Sequence, residues 1–146
     1  MIGGERPPEE LGRYTGFLLN WIGARSRTRF IEALGELDLH PREFAVLNIL
    51  DANPGLTQQQ VGAQADVDPS TMVALLDGLE QRGLAERRAH PDDRRKRAVY
   101  LTPKGEKTLA RGREIAGAVG EETFARLNAT ERKQLNALLR KTAGLD

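Results

Sequence analysis

Residues 68–105 read DPSTMVALLDGLEQRGLAERRAHPDDRRKRAVYLTPKG. Asp68 followed by Pro69 predicts a helix start, because the aspartate oxygen can accept an orphan backbone N–H and proline tolerates the first helical position. Gly83 can supply the left-handed cap that ends this helix after about four turns. The helix carries one apolar stripe, formed by Met72, Leu75, Leu76 and Leu79. This pattern predicts a short helix with a single buried face.

Two strand-like runs follow the helix, at residues 84–89 and 96–101. The second run is richer in β-forming residues, and the turn between the runs, HPDDRR, contains proline and aspartate. Thr102 and Pro103 then repeat the pattern of a helix start. The segment is therefore predicted to fold as a helix, a β-hairpin and a second helix, with no spacer between them.

A shorter helix is predicted immediately before this segment. Thr57 and Gln60 have the spacing of a capping box, and Val61 and Ala65 give the helix a small buried face. Two short helices joined by residues 66–68 form a helix-turn-helix, whose second helix offers its N-terminal turns to the DNA major groove. Together with the hairpin, they predict a winged helix-turn-helix.

Two further helix starts are predicted. His40, before Pro41, is interpreted as a capping residue that begins a helix, whose apolar residues are dense enough for full burial: Phe44, Val46, Leu47, Ile49 and Leu50. Asn128 and Glu131 have the spacing of a second capping box, which begins the last helix.

Charge is concentrated in the hairpin. Between Glu86 and Arg97, three acidic residues accompany six basic ones: Arg87, Arg88, Arg94, Arg95, Lys96 and Arg97. Guanidinium groups can follow phosphates or enter a narrow minor groove, whereas an isolated run of this kind can also be a solvated loop. The adjacent helix-turn-helix favours the DNA-binding interpretation.

The runs STMVALLDGLEQR and GLAERRAHPDDRRKRAVYLTPKG together resemble the core of the MarR family of bacterial transcriptional regulators. The Asp-Arg-Arg hairpin tip, the strand ending Leu-Thr-Pro-Lys-Gly and the helix ending Leu-Glu-x-x-Gly-Leu carry the resemblance. It implies a homodimer that binds a pseudo-palindromic site on double-stranded DNA. Most such proteins are repressors that a small ligand, often an aromatic or phenolic acid, releases from DNA.

Composition sets the fold class and excludes several functions. A chain of 146 residues with 29% charged residues is typical of one soluble domain, and the aromatic fraction of 5% favours helices over an all-β fold. With the hairpin described above, the predicted fold class is mainly α with a small β-hairpin wing. The net charge of +1 means that affinity for DNA must come from clustered cations. The absence of cysteine excludes disulfides and thiol-based redox sensing. The two histidines lack metal-ligand spacing, and no nucleophile–base pair or phosphate loop is evident, so neither a cofactor nor an enzyme activity is expected.

The two ends of the chain are predicted to form long helices. Residues 9–37 form an apolar stripe that continues for about 40 Å as a helix, and helical patterns cover residues 103–127 and the segment after Asn128. We therefore predict a single domain, residues 1–146, in which residues 9–37 and 103–146 form dimerisation helices around a winged helix-turn-helix lobe at 40–102. The segment up to Pro8 is predicted to be a frayed tail. It has no apolar core of a signal peptide, and no run suits a membrane span, so a cytoplasmic location is expected.

Candidate DNA contacts lie on the two short helices and the hairpin. They are Gln58, Gln59, Pro69, Ser70, Thr71, Val73, Ala74, Arg87, Arg88, Arg94 and Arg95. The hydroxyls of Ser70 and Thr71 could reach base edges or phosphates, or could serve only the helix cap. Related proteins often carry arginine near Ala74 and Gly78, so the resemblance implies weaker base readout here and more weight on the wing. It also implies that one of Arg94 and Arg95 enters the minor groove while the other pairs with Asp93, which stabilises the wing; their assignment stays open.

A ligand pocket and a competing function complete the sequence-based hypotheses. Tyr14, Phe17, Trp21, Arg25 and Phe44 could line a site for a small aromatic acid, although an aromatic stripe at helical spacing can equally be core. The competing function is a helical interaction module that uses the basic hairpin to bind RNA or an acidic protein. Competition between duplex DNA and single-stranded RNA would distinguish the two.

Overall fold

The computed structural model describes residues 6–145, so the first five residues of the predicted tail lie outside it. Six α-helices and three short β-strands follow each other along the chain. The helices are α1 (Thr15–Leu34), α2 (Pro41–Ala52), α3 (Gln58–Ala65), α4 (Pro69–Gln81), α5 (Pro103–Thr123) and α6 (Ala129–Thr142). The strands are β1 (Leu56–Thr57), β2 (Ala85–Ala89) and β3 (Arg97–Leu101). The predicted class, mainly α with a β-hairpin wing, is confirmed.

Residue contacts divide the chain into two compact units. We call Phe30–Ala116 the central unit, and Met1–Arg29 with Gly117–Asp146 the terminal unit. The boundaries fall inside helices α1 and α5, whereas the sequence placed the functional division at the ends of those helices.

The core of the central unit is aliphatic. The predicted stripe of α4 supplies Met72, Leu76 and Leu79, each at most 1% exposed, while Leu75 is only partly buried. Helix α2, predicted to be fully buried, instead buries Val46, Leu47 and Leu50 and leaves Phe44 and Ile49 at the edge of the cluster. There the ring of Phe44 meets that of Phe30 edge-on, with centroids 5.4 Å apart. Aliphatic side chains from both helices therefore belong to one core cluster of the central unit.

Three strands form an antiparallel sheet in the order β1-β3-β2. In the hairpin, Arg87 lies opposite Val99 and Ala89 lies opposite Arg97. The two-residue strand β1 was not predicted from the sequence. It pairs Leu56 with Val99 at the other edge of β3, and two residues are too few to show an alternating pattern.

Helix caps are confirmed wherever the sequence predicted them. His40, Thr57 and Asn128 each form a complete capping box with the residue three positions on. Asp68 accepts the backbone N–H of Thr71 at 2.9 Å, and Gly83 adopts the predicted left-handed conformation with φ 71°. These local interactions fix where α2, α3, α4 and α6 begin.

The long terminal helices are shorter than predicted. The segment 9–37 contains a 3-10 turn at Glu9–Leu11, the α-helix Thr15–Leu34 and a second 3-10 turn at Gly35–Leu37, which Asp38 ends in a left-handed conformation. Helix α5 ends at Thr123 rather than Leu127. The Nε of Arg132 donates to the carbonyl oxygens of Phe124 and Leu127, so a side chain bonds carbonyls just beyond the end of this helix.

Gly105 allows α5 to start against the end of α4. Its N–H donates to the Thr102 side-chain oxygen at 3.0 Å, and the Thr102 hydroxyl donates to the carbonyl of Gly83. A Cβ atom on Gly105 would lie 2.0 Å from the carbonyl oxygen of Leu84. No side chain can occupy that space unless the backbone moves.

Gly105→Ala is therefore expected to destabilise the central unit by about 3 kcal/mol, the upper part of the range for overpacking. Gly78→Ala is the matched control, because a Cβ at this helical glycine meets nothing within 4 Å. It should be neutral or should stabilise by up to about 1 kcal/mol. Urea unfolding of both variants measures the difference, and equal midpoints would contradict the close approach.

No helix in residues 6–145 is both long enough and apolar enough to span a membrane. The same stretch contains no group of three or more His, Cys, Asp or Glu side chains placed to hold a metal ion.

Candidate nucleic-acid interface

Helices α3 and α4 form a tight helix-turn-helix. Asp66 ends α3 in a left-handed conformation with φ 54°, and the N–H of Val67 donates to Gly62 at 2.9 Å. Gly62 suits this turn, because an added Cβ would lie 3.2 Å from the Val67 carbonyl oxygen. Asp68 then starts α4. The turn is therefore built by backbone bonds and one small residue.

The outer face of α4 presents small side chains. Ser70, Val73 and Ala74 are exposed, and their spacing of three and four residues places them on one face of the helix. Val73, at 41% exposure, is an apolar side chain open to solvent. Thr71 is half-buried beside them. Together with Pro69, which is exposed at the first helical position, these are the residues that the sequence predicted to face DNA.

Asp68 is the hydrogen-bonding centre of this helix start. Its carboxylate accepts the Thr71 hydroxyl at 2.6 Å, the Thr71 N–H at 2.9 Å and the Ser70 hydroxyl at 2.7 Å. These hydrogen bonds, chiefly the one from the Thr71 side chain, hold the pKa of Asp68 well below its usual range. The carboxylate is therefore ionised at neutral pH.

We define the wing as strands β2 and β3 with the turn that joins them. Arg87 connects the wing to both short helices. Its guanidinium forms ion pairs with Asp77 and, at 2.7 Å, with Glu80 of α4, and it reaches the Gln58 side-chain oxygen of α3 at 3.4 Å. The side chain is only 22% exposed. Arg87, a predicted DNA contact, therefore uses its guanidinium hydrogen-bond donors within the protein.

Arg88 and the wing tip are also internally paired. Arg88 pairs with Glu86 and lies over the ring of Tyr100, 4.7 Å from its centroid. At the tip, Asp93 accepts the Arg95 backbone N–H at 3.0 Å and the Arg95 Nε at 3.3 Å, and these bonds lower the pKa of Asp93. The sequence left open which arginine pairs with Asp93, and the structure places Arg95 there.

Three cations of the wing form no ion pair within residues 6–145: Arg94, Lys96 and Arg97. All three are exposed. Lys96 and Arg97 line an open cleft of about 260 Å³ together with Thr57, Gln58 and Gln59 at the start of α3. The cleft thus brings Gln58 and Gln59, which were predicted to contact DNA, close to two cations that were not among the predicted contacts. Sequence spacing does not reveal this proximity, because the two groups lie almost forty residues apart.

The predicted ligand residues belong to different units. In the terminal unit, the Arg25 guanidinium lies 3.6 Å from the centre of the Trp21 ring, while Tyr14 is half exposed and stacks with Arg13. Phe17 is half-buried on the same helix. Phe44 lies at the edge of the aliphatic core in the central unit.

Comparisons with known proteins identify the family. The model of the MarR family matches residues 37–96. The HTH-type transcriptional repressor Rv2887 of Mycobacterium tuberculosis is 31% identical over 126 residues, which are 86% of this chain and 91% of the relative. A solved structure names Rv2887 as a MarR family protein. The chain belongs to the MarR family. The fold of the chain agrees with this assignment. The transcriptional repressor CouR, solved bound to a 23-mer DNA duplex, superposes on it with a TM-score of 0.79 and 34% sequence identity. The alignment covers 97% of this chain and 99% of CouR.

Two further findings on relatives concern their ligands and lengths. Rv2887, 29% identical in the structural comparison, has been solved in two complexes. Its complex with DNA superposes with a TM-score of 0.78, over 88% of this chain and 96% of that structure. Its complex with p-aminosalicylic acid superposes with a TM-score of 0.73, over 88% of this chain and 98% of that structure. A candidate regulator of the hcr operon from Thauera aromatica is 35% identical over 69% of this chain. This MarR-family chain spans 61% of that protein's length.

Arg87→Met tests the connection between wing and helix. Hydrogen bonds from Arg87 lower the pKa of Glu80, so this carboxylate stabilises the fold above the pKa of an unfolded glutamate, roughly 4.3, and that stability is lost as the pH falls through the lowered value. The variant should melt at a lower temperature than the wild type at pH 7, and this difference should shrink as the medium becomes acidic. Calorimetry from about pH 2 to about pH 7 measures this difference.

Arg111→Met is the control for this experiment, because Arg111 pairs with Glu114 at 3.8 Å and both side chains are more than 60% exposed. An exposed pair of this kind contributes little stability, so the control should melt like the wild type at every pH. A melting difference for Arg87→Met that is constant across pH would mean that its ion pairs do not stabilise the wing.

Proposed function

We propose that this chain is a homodimeric repressor that binds a pseudo-palindromic operator in double-stranded DNA and leaves it when a small aromatic acid binds. The observation that carries the proposal is the cluster of Arg94, Lys96 and Arg97, which remain without ion pairs on the wing beside the exposed face of α4. Cations that the protein does not neutralise are available to phosphates. The relatives CouR and Rv2887, both solved with DNA, support the same partner.

The two DNA-binding elements take different grooves in this proposal. The exposed face of α4 enters the major groove, and the wing tip reaches the adjacent minor groove. Because Arg95 is held by Asp93, Arg94 is the arginine that inserts. The cleft beside Gln58 and Gln59, with Lys96 and Arg97, takes the phosphate backbone between them. Arg87 acts as a positioning residue, since its guanidinium already binds Asp77 and Glu80.

Exposed apolar side chains support the homodimer. Most of the large ones belong to the terminal unit: Leu11, Tyr14, Leu19, Ile22, Leu138, Leu139 and Leu145. Apolar patches of this kind mark association surfaces. A two-fold dimer would present its two α4 helices to major grooves about 34 Å apart, one duplex turn, which requires the operator to be pseudo-palindromic.

Arg94→Ala is expected to weaken binding to the operator by about tenfold or more, and to reduce the dependence of affinity on salt by about one phosphate. Arg95→Ala should cost less, because Arg95 acts through the loop that it holds, and the double variant should nearly abolish binding. Fluorescence anisotropy with a duplex selected from genomic DNA, at two salt concentrations, measures all three. Sedimentation of the complex gives the number of protomers on each duplex.

Arg111→Ala is the control here, because it removes an exposed arginine of α5. Unchanged affinity for Arg94→Ala would contradict the proposed wing contact. Preferential competition by single-stranded RNA or by an acidic protein would instead favour the alternative function, an interaction module that uses the same basic hairpin.

The effector site is proposed in the terminal unit, at Trp21 and Arg25. The guanidinium on the indole face combines an aromatic surface with a positive charge, which suits an aromatic carboxylate. Rv2887, solved with p-aminosalicylic acid, supports this class of ligand. Tyr14 and Phe17 lie earlier on the same helical segment and are proposed to extend the apolar wall. The proposed site does not include Phe44, which belongs to the central unit.

Salicylate-type acids are expected to quench the fluorescence of Trp21, the only tryptophan of the chain, and to release the operator. Arg25→Met should weaken the affinity for the acid by about tenfold, the usual effect of losing one charge-assisted hydrogen bond. Arg27→Met, an exposed arginine on the same helix, is the matched control. A titration without quenching, together with undisturbed operator binding, would contradict this effector site.

A further inference from the structure

The two hydroxyls at the start of α4 have a defined hydrogen-bonding direction. Ser70 Oγ lies 2.7 Å from one oxygen of Asp68, and Thr71 Oγ1 lies 2.6 Å from the other. The lowered pKa keeps this carboxylate ionised, and an ionised carboxylate can only accept hydrogen bonds. Each hydroxyl therefore gives its single proton to Asp68. Only oxygen lone pairs remain on both hydroxyls for any further partner.

This direction disfavours a phosphate as that partner. Phosphate oxygens also only accept, so a contact would require a hydroxyl proton to leave the charge-assisted bond to Asp68. Among the backbone groups of this turn, Pro69 has no N–H, and the N–H groups of Thr71 and Met72 already bind Asp68 at 2.9 Å. The Ser70 N–H is the one backbone donor of residues 69–72 left for a phosphate. The negative charge of Asp68 repels phosphate as well.

Base edges offer what the hydroxyls require. In the major groove, the exocyclic amino groups of adenine N6 and cytosine N4 donate hydrogen bonds, whereas guanine and thymine present acceptors on their own edges. Serine and threonine in general bind either kind of base. Here the bonds to Asp68 leave them as acceptors. Every base pair contains one amino donor, so a pair of acceptors reads which strand carries it.

We propose that Ser70 and Thr71 are specificity-determining acceptors, which select the strand that carries adenine or cytosine at the base pair facing the start of α4. The proposal rests on the proposed DNA-binding function and defines its base preference. It also assigns Asp68 a positioning role, because its two oxygens orient both hydroxyls without themselves contacting DNA.

The test removes one base amino group at a time from the operator. In a duplex selected by the wild-type dimer, each adenine is replaced in turn by purine, and each cytosine by 2-pyrimidinone, so that one amino group is lost each time. We expect about a fivefold loss of affinity at one position in each half-site, the usual effect of one hydrogen bond. Reversing the base pair at that position should cause at least the same loss.

Protein variants connect that position to the hydroxyls. Thr71→Val keeps the shape of the side chain and removes its hydroxyl, and Ser70→Ala removes the other. The variant that loses the contact should bind the native operator as weakly as the wild type binds the amino-deleted one, and should show no further loss on that duplex. Thr28→Val makes the same chemical change on the exposed surface of α1 and should bind like the wild type. Melting temperatures verify that each variant is folded.

Three results would overturn the proposal. Equal losses on all duplexes, whichever base is altered, would mean that the hydroxyls contact the backbone. Variants that bind every duplex like the wild type would mean that the hydroxyls serve only the cap. An operator without any sensitive amino group would exclude amino recognition, and this measurement requires no protein variant. A wild-type protein that binds no duplex at all would instead contradict the DNA-binding function itself.

Discussion

The guanidinium of Arg87 connects the wing to the helix-turn-helix, the two elements that we propose contact DNA. It extends from strand β2 to Asp77 and Glu80 on α4, and to Gln58 on α3. Because the side chain is largely shielded from water, these bonds are stronger than those of an exposed surface pair. These bonds hold the wing against α4, and in the proposed complex they would reduce the conformational entropy lost on binding DNA.

Internal pairing also decides which charges face outward. The chain is almost neutral, with a net charge of +1, and the hairpin's cations are unequal. Within residues 6–145, Arg87, Arg88 and Arg95 are each bound to acidic neighbours, while Arg94, Lys96 and Arg97 form no ion pair. The positive surface is therefore smaller than the sequence suggests, and it is concentrated at the wing tip and the cleft beside α3. Such concentration yields local affinity for phosphates without a large overall charge.

The success of the sequence-based predictions follows the range of the interactions. The caps at His40, Thr57, Asp68 and Asn128 were predicted correctly, because each involves residues at most three positions apart. The stripe of α4 was also predicted, since helical periodicity is a local property. Strand β1 was missed, because only pairing with β3 makes it a strand. The predicted end of helix α5 was wrong. The side chain of Arg132, from the next helix, donates to carbonyl oxygens just beyond Thr123, and the local sequence pattern does not reveal this contact.

The sequence by itself determined the helix starts, the hairpin and the family to which the chain belongs, because these depend on residue types at fixed short spacings. Only the tertiary structure decided which of the candidate residues remain available to DNA. Arg87 reaches carboxylates seven and ten residues away, and Lys96 and Arg97 approach the start of α3 across the fold. A side chain's hydrogen-bonding capacity is finite, so its role depends on which partners the folded chain has already supplied.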